Sequence, residues 1–316
     1  MKKWLLALPA AALAGGYWGF RHACARIPDP DWESRDDLLK SPYAEFADSI
    51  PRACQWLRDH NAQDVECKSF DGLTLRGKWV PAEHPKATII LFHGYHTHYI
   101  HDFAGIFSLY RSTGLNLLLV RQRSHGESEG KYITFGVRER KDAVSWVEFH
   151  NRVHGKDNVF LGGMSMGAST VLFAAGEDLP PNVRGITADC GFSSPAEILG
   201  HVIRQQYHLP SGLVLPLMEV WARTLGGFSL YECSSRQTLA RSRTPILFIH
   251  GTADTFVPCS MSQAGYACCA SDREIHLVDG AGHGRAYLYD PERLTKALVD
   301  FFNRNISDEF TLEESI

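Results

Sequence analysis

A basic excess, a C-x-x-C pair, a glycine-rich phosphate loop and an internal repeat are all missing from this 316-residue chain. Its 32 lysines and arginines face 36 aspartates and glutamates, a formal charge of −4. No basic face for a nucleic-acid backbone follows from that balance, so nucleic acid is not an expected partner. The eight cysteines (Cys24, Cys54, Cys67, Cys190, Cys233, Cys259, Cys268 and Cys269) are scattered, which removes support for zinc fingers and thioredoxin-like chemistry. A chain this long folds without disulfides, so the cysteines leave the redox compartment open. Hydrophobic residues at 44% and charged residues at 22% exclude wholesale disorder, a collagen-like repeat and a multi-span membrane protein.

What is present starts with an uncharged stretch at residues 4–20, WLLALPAAALAGGYWGF, preceded by Lys2 and Lys3 and followed by Arg21 and His22. As a helix it spans about 26 Å, slightly short of a ~30 Å hydrocarbon core. Trp4, Tyr17 and Trp18 stand near its ends, where aromatic rings favour a membrane interface. Three readings fit: an uncleaved anchor, a signal peptide cut after Ala12-Leu13-Ala14, or a buried helix of the globular domain. The anchor is preferred, because the stretch is apolar all round and terminal. The amino terminus, Lys2 and Lys3 outweigh Arg21 and Arg26, so the positive-inside rule leans toward a membrane-anchored chain whose catalytic domain is extracytoplasmic. Residues 1–26 are thus expected to be an anchor or signal segment. Residues 27–66 read as a polar stalk with a leading helix near 43–60, and residues 306–316 as a loose acidic tail.

From about residue 67 short apolar runs alternate with amphipathic stretches. Leu73 to Val80 alternates like an antiparallel strand. The runs at 87–92, 115–120, 159–161, 183–188, 245–249 and 275–278 are near-continuous, as in strands buried on both faces of a parallel sheet. Helices are expected at 101–113, 137–152, 166–176, 260–270 and 291–304. That alternation predicts an α/β fold, a mostly parallel central sheet with helices on both faces. The long interval before Pro245 reads as an inserted helical cap at about 192–240.

Two G-x-S-x-G matches occur. In Gly126-Glu127-Ser128-Glu129-Gly130 a carboxylate on each side of the serine would oppose a developing oxyanion, and no apolar helix follows, so the match reads as a loop. Gly163-Met164-Ser165-Met166-Gly167 follows the run at 159–161 and opens a helix, the context of a nucleophile elbow. On such sheets the acid and then the base follow the serine in chain order. Asp254 falls in the loop after the strand that ends near His250-Gly251. Beyond it only His276, inside a strand, and His283, in the loop Gly280 to Gly284, remain, so His283 is the expected base. Asp254 has a competing reading as an Asx-turn residue. Asp189 competes for the acid role, although it reads better as a structural hydrogen-bond acceptor.

The backbone N–H groups of Met166 and of Tyr95, in Phe92-His93-Gly94-Tyr95-His96, are the expected oxyanion donors. His93, His96, His98 and His101 crowd that loop and read as a polar rim; no metal and no cofactor are expected.

The motifs HGYH, GMSMGAST, HGTADTFVP and GAGHG, in that order, resemble those of the α/β-hydrolase superfamily over residues 67–305. RQRSHGESEGKYITFG and ITADCGFSSP look like segments of its bacterial members with one N-terminal membrane helix, described as esterase-like or serine-aminopeptidase-like. That group usually carries Asp where this chain has Arg121. The resemblance implies an α/β-hydrolase fold with a short helical cap, and Ser165, Asp254 and His283 as the triad of a hydrolase. The expected function is cleavage of carboxylic esters or thioesters through an acyl-enzyme on Ser165, with a small-molecule ester or acyl compound as partner and the membrane contacted through the N-terminal helix. A serine aminopeptidase or amidase would need carboxylates for a substrate amine, and the cap offers Glu197, Glu219 and Glu232. A non-catalytic binding protein on the same fold would have lost part of the triad. Ile198, Val202, Leu217 and other apolar cap residues predict an acyl pocket for short to medium chains.

Overall fold

The computed structural model describes residues 4–306, and the apolar runs of the sequence are the strands of one sheet within it. They are β1 (Gln63–Lys68), β2 (Thr74–Val80), β3 (Ala87–Phe92), β4 (Leu115–Val120), β5 (Val159–Met164), β6 (Val183–Asp189), β7 (Ile246–Gly251) and β8 (Arg273–Val278). Their order is β1-β2-β4-β3-β5-β6-β7-β8. β1 and β2 run antiparallel to their neighbours and the others are parallel.

Helices cover both faces: α1 (Trp4–Cys24), α2 (Arg35–Leu39), α3 (Ile50–Asp59), α4 (Tyr99–Phe103), α5 (Phe107–Ser112), α6 (Glu139–Val153) and α7 (Met166–Ala174) come first. α8 (Pro195–Gln205), α9 (Ser211–Trp221), α10 (Ser235–Leu239), α11 (Ser260–Cys268), α12 (Ala286–Tyr289) and α13 (Pro291–Asn305) follow. Every residue of β3 and β4 is buried, and alternate side chains enter opposite layers. Ile89, Leu91, Leu117 and Leu119 join one core cluster with α3, α5 and α13. Ile90, Phe92, Leu118 and Val120 join the other, with α6 and α7. A third cluster ties Phe20 and Cys24 of α1 to Ile198, Ile203, Leu215 and Met218 of α8 and α9, which lie between β6 and β7.

Two parts of the chain differ from the sequence reading. Among the described residues no helix is long and apolar enough to cross a membrane. α1, expected to be an anchor, lays a stripe of Gly16, Phe20 and Cys24 against protein. A Cβ on Gly16 would lie 2.6 Å from Leu217 Cβ, so a glycine is what permits α1 and α9 to pack this closely. Nor does segment 27–66 stand off as a stalk: Trp32, Leu38, Ile50, Ala53, Cys54 and Leu57 are buried in the first cluster, and β1 extends the sheet. Apart from Ile306, the acidic tail expected at 306–316 lies outside the described residues.

Candidate active site

Ser165 occupies the turn between β5 and α7 with φ 55° and ψ −115°, a backbone region that L side chains seldom adopt. The flanking glycines explain how the turn closes. A Cβ on Gly163 would lie 2.3 Å from the Gly167 carbonyl carbon, and one on Gly167 would lie 1.8 Å from the Phe92 carbonyl oxygen. The Ser165 N–H donates to the Asp189 carbonyl at 2.8 Å, which fixes the elbow to the end of β6.

The loops after β7 and β8 bring two further groups to the serine. Ser165 Oγ lies 2.9 Å from His283 Nε2. His283 Nδ1 lies 2.6 Å from Asp254 Oδ2. An imidazole protonated on Nδ1 donates to that carboxylate and leaves Nε2 free to accept the serine hydroxyl proton. Asp254 Oδ1 meanwhile accepts the N–H groups of Phe256 and Val257, at 2.9 and 2.8 Å. Asp254 is therefore both an Asx-turn residue and the partner of His283, one oxygen for each. Burial alone would raise its carboxyl; hydrogen bonds from His250 and His283 outweigh that and hold it far below the usual carboxylate range. His250 contacts the Val257 carbonyl at 2.8 Å and Ser262 Oγ at 2.7 Å, so it braces the Asp254 turn.

Asp189 makes no hydrogen bond to His283. Its Oδ1 is buried without a partner, while Cys190 hydrogen-bonds to the carboxylate, and burial pushes the carboxyl up to about 6. Ser128 stands apart: it is fully buried, donates to the Arg121 carbonyl at 2.7 Å and accepts the Arg76 N–H at 2.8 Å. His276 lies in β8, 3.8 Å from Glu274.

The loop after β3 passes beside the serine, where a Cβ on Gly94 would lie 3.4 Å from Ser165 Cβ. Asp102, unnoticed in the sequence, shapes this loop by accepting the Gly94 N–H at 2.6 Å and the Thr97 hydroxyl at 2.8 Å. Tyr95 follows Gly94 in this loop, and Met166 is the first residue of α7. The loop histidines have separate partners. His93 donates to the Gly94 carbonyl, His98 accepts the Ile100 N–H and His101 contacts Asp102, while the His96 N–H donates to His125. Among the described residues the metal-ligand type of grouping is Cys190, Asp254 and His283. Two of these already bind each other, and burial pushes the Cys190 thiol well above its usual value, so the set suits a metal poorly.

Two cavities meet at Ser165. One, of about 470 Å³, is lined by Glu45, Asp102, Asp189 and Arg285 among others. The second, of about 440 Å³, lies between α1 and the cap helices α8 and α9. Glu197, Glu219 and Glu232 line neither. Glu219 is engaged with Ser229 and the Leu230 N–H, and Glu232 with Arg140.

A model of the alpha/beta hydrolase family matches residues 89–297, more than half of the chain. The uncharacterized protein YqkD of Bacillus subtilis is 28% identical over 240 residues, 75% of this chain and 78% of its own. The uncharacterized protein YfhR of Salmonella typhi is 27% identical over 262 residues, 78% of this chain and 83% of its own. Among solved structures, an esterase of Pyrococcus furiosus superimposes with a TM-score of 0.66 at 22% identity, covering 79% of this chain and 94% of the esterase.

Proposed function

The chain belongs to the alpha/beta hydrolase family, and on that premise we propose that it is a serine hydrolase that cleaves carboxylic esters or thioesters through an acyl-enzyme on Ser165. The observation that carries this reading is the 2.9 Å contact between Ser165 Oγ and His283 Nε2 on a strand-to-helix elbow. As Ser165 Oγ bonds to the substrate carbonyl carbon, its proton passes to His283 Nε2. Asp254 holds the imidazole tautomer and stabilises the imidazolium. The N–H groups of Tyr95 and Met166 hold the oxyanion. The carbon–oxygen bond to the alcohol then breaks, and the alcohol leaves with the proton from His283. Water then bonds to the carbonyl carbon as the same imidazole takes its proton, the bond to Ser165 Oγ breaks, and that proton passes to Ser165 Oγ as the acid leaves. An ester is favoured over an amine-bearing peptide because Glu219 and Glu232 are engaged elsewhere and none of the three cap carboxylates lines a cavity at Ser165. Labelling with a fluorophosphonate, followed by p-nitrophenyl esters and aminoacyl amides as substrates, tests both points. Labelling with ester turnover is the expected result, and amide turnover exceeding ester turnover would overturn the ester assignment.

A further inference from the structure

Resting on that reading of Ser165, we infer that helix α1 is part of the substrate site: it forms one wall of an acyl-binding cavity and sets the chain length accepted. The cavity of about 440 Å³ runs from Ser165 between Gly15, Gly16 and Gly19 of α1 and Ile198, Val202 and Leu217 of the cap. No Asp, Glu, Lys or Arg side chain lines it, whereas the other cavity at Ser165 holds several. An apolar chain therefore belongs on the α1 side and the polar leaving group on the other.

Three hydrogen bonds fix this wall. Trp221 Nε1 donates to the Leu13 carbonyl at 2.9 Å, and the Tyr207 hydroxyl lies 2.8 Å from His22 Nε2. The Tyr95 hydroxyl donates to the Ala23 carbonyl at 2.9 Å. Tyr95 thus joins the wall to the loop assigned to the oxyanion. Residues 4–24 lie outside the stretch matched by the family model. If each methylene takes about the 30 Å³ of a water molecule, the cavity holds a chain of up to about fifteen carbons. That is longer than the short to medium acyl group read from the cap alone. Each buried methylene adds about fourfold to kcat/KM until the cavity is full.

The test uses the full-length chain with p-nitrophenyl acetate and decanoate. The wild type should prefer decanoate by at least tenfold in kcat/KM. A Cβ on Gly15 would meet nothing within 4 Å, so Gly15→Trp fills the cavity from α1 without a backbone clash. It should lower the decanoate-to-acetate ratio at least tenfold. Val202→Phe, from the opposite wall, should shift the ratio the same way and stands in if Gly15→Trp does not fold. A wild-type preference for acetate, an unchanged ratio, or a parallel loss on both esters overturns the role of α1. Absence of both ester turnover and fluorophosphonate labelling in the wild type instead overturns the serine-hydrolase reading on which it rests.

Discussion

Arg121 and Asp29 meet across 92 residues of chain, the guanidinium donating to the carboxylate inside the protein. The Arg121 side chain is 2% exposed, and it also donates to the Thr97 carbonyl at 3.1 Å, in the loop that passes Ser165. The cation found here is matched by an acid from the segment between α1 and α2, which is why that segment lies on the domain.

Asp29→Asn should therefore destabilise the protein by about 3 kcal/mol, because it leaves the buried guanidinium with only the exposed Glu127 carboxylate, 3.8 Å from Nε. Urea unfolding should show a lower midpoint at an unchanged slope. A change below about 0.5 kcal/mol would show that the pair adds nothing to stability.

The two G-x-S-x-G serines should separate cleanly. Ser165→Ala should abolish ester turnover and fluorophosphonate labelling with the fold intact. Ser128→Ala should keep both but lose about 1–3 kcal/mol, since it removes a buried hydroxyl bonded to the Arg121 carbonyl and the Arg76 N–H. Robust labelling of the Ser165→Ala protein would remove Ser165 as nucleophile.

The contrast between those serines is legible in the sequence, because strand, glycine-flanked turn and helix are contiguous along the chain. β3 and β4 are legible for a similar reason: burial on both faces writes an unbroken apolar run. β1 writes none. Its sequence is QDVECK and only Cys67 is buried, so pairing with β2 makes it a strand. An apolar helix such as α1 reads alike whether lipid or protein covers it. The distinguishing feature is Gly16 against Leu217, a contact across some 200 residues that no local pattern encodes. Asp102 and Asp29 escape a reading of the sequence because an acid's distant partner leaves no mark on its neighbours. Asp254 and His283 do not escape it, because chain order and strand ends leave few candidates.

Acid should destabilise the fold from about pH 6.5 downward. Burial, the largest cause, lowers His125 to about 3, and it drives His93 and His98 well below their usual value. The unfolded chain takes up protons on these histidines near pH 6.5, and the folded chain refuses them. The stability these histidines contribute is thus fully present above pH 6.5 and falls by about 1.4 kcal/mol per pH unit for each such group as the pH drops. His125→Gln keeps an acceptor for the His96 N–H and should shrink the loss between pH 7.5 and 5.5 by about 1 kcal/mol in urea titrations. An unchanged pH dependence would remove His125 from the account.

Asp254 and Asp189 lie near the same serine, and their asparagine variants should behave in opposite ways. Asp254 Oδ2 accepts the hydrogen bond from His283 Nδ1–H, so Asp254→Asn presents an amide that favours the wrong tautomer. It should lower kcat by about 10³ to 10⁴ while the protein still folds. Asp189 has no bond to His283, and its Oδ1 is buried unpartnered. Its carboxyl is pushed by burial up to about 6, above the unfolded value. The sign follows from linkage. The folded state holds this proton more tightly, so its contribution is intact below about pH 4 and is lost as the pH rises through about 6. A neutral amide escapes that loss. Asp189→Asn should match the wild type in stability near pH 4 and exceed it by roughly 1–3 kcal/mol at pH 8, with kcat changed less than tenfold. Denaturant titrations at the two pH values and kcat on one ester decide it. If Asp189→Asn loses kcat by a thousandfold while Asp254→Asn retains it, Asp189 is the acid of the site and the assignment of Asp254 is wrong.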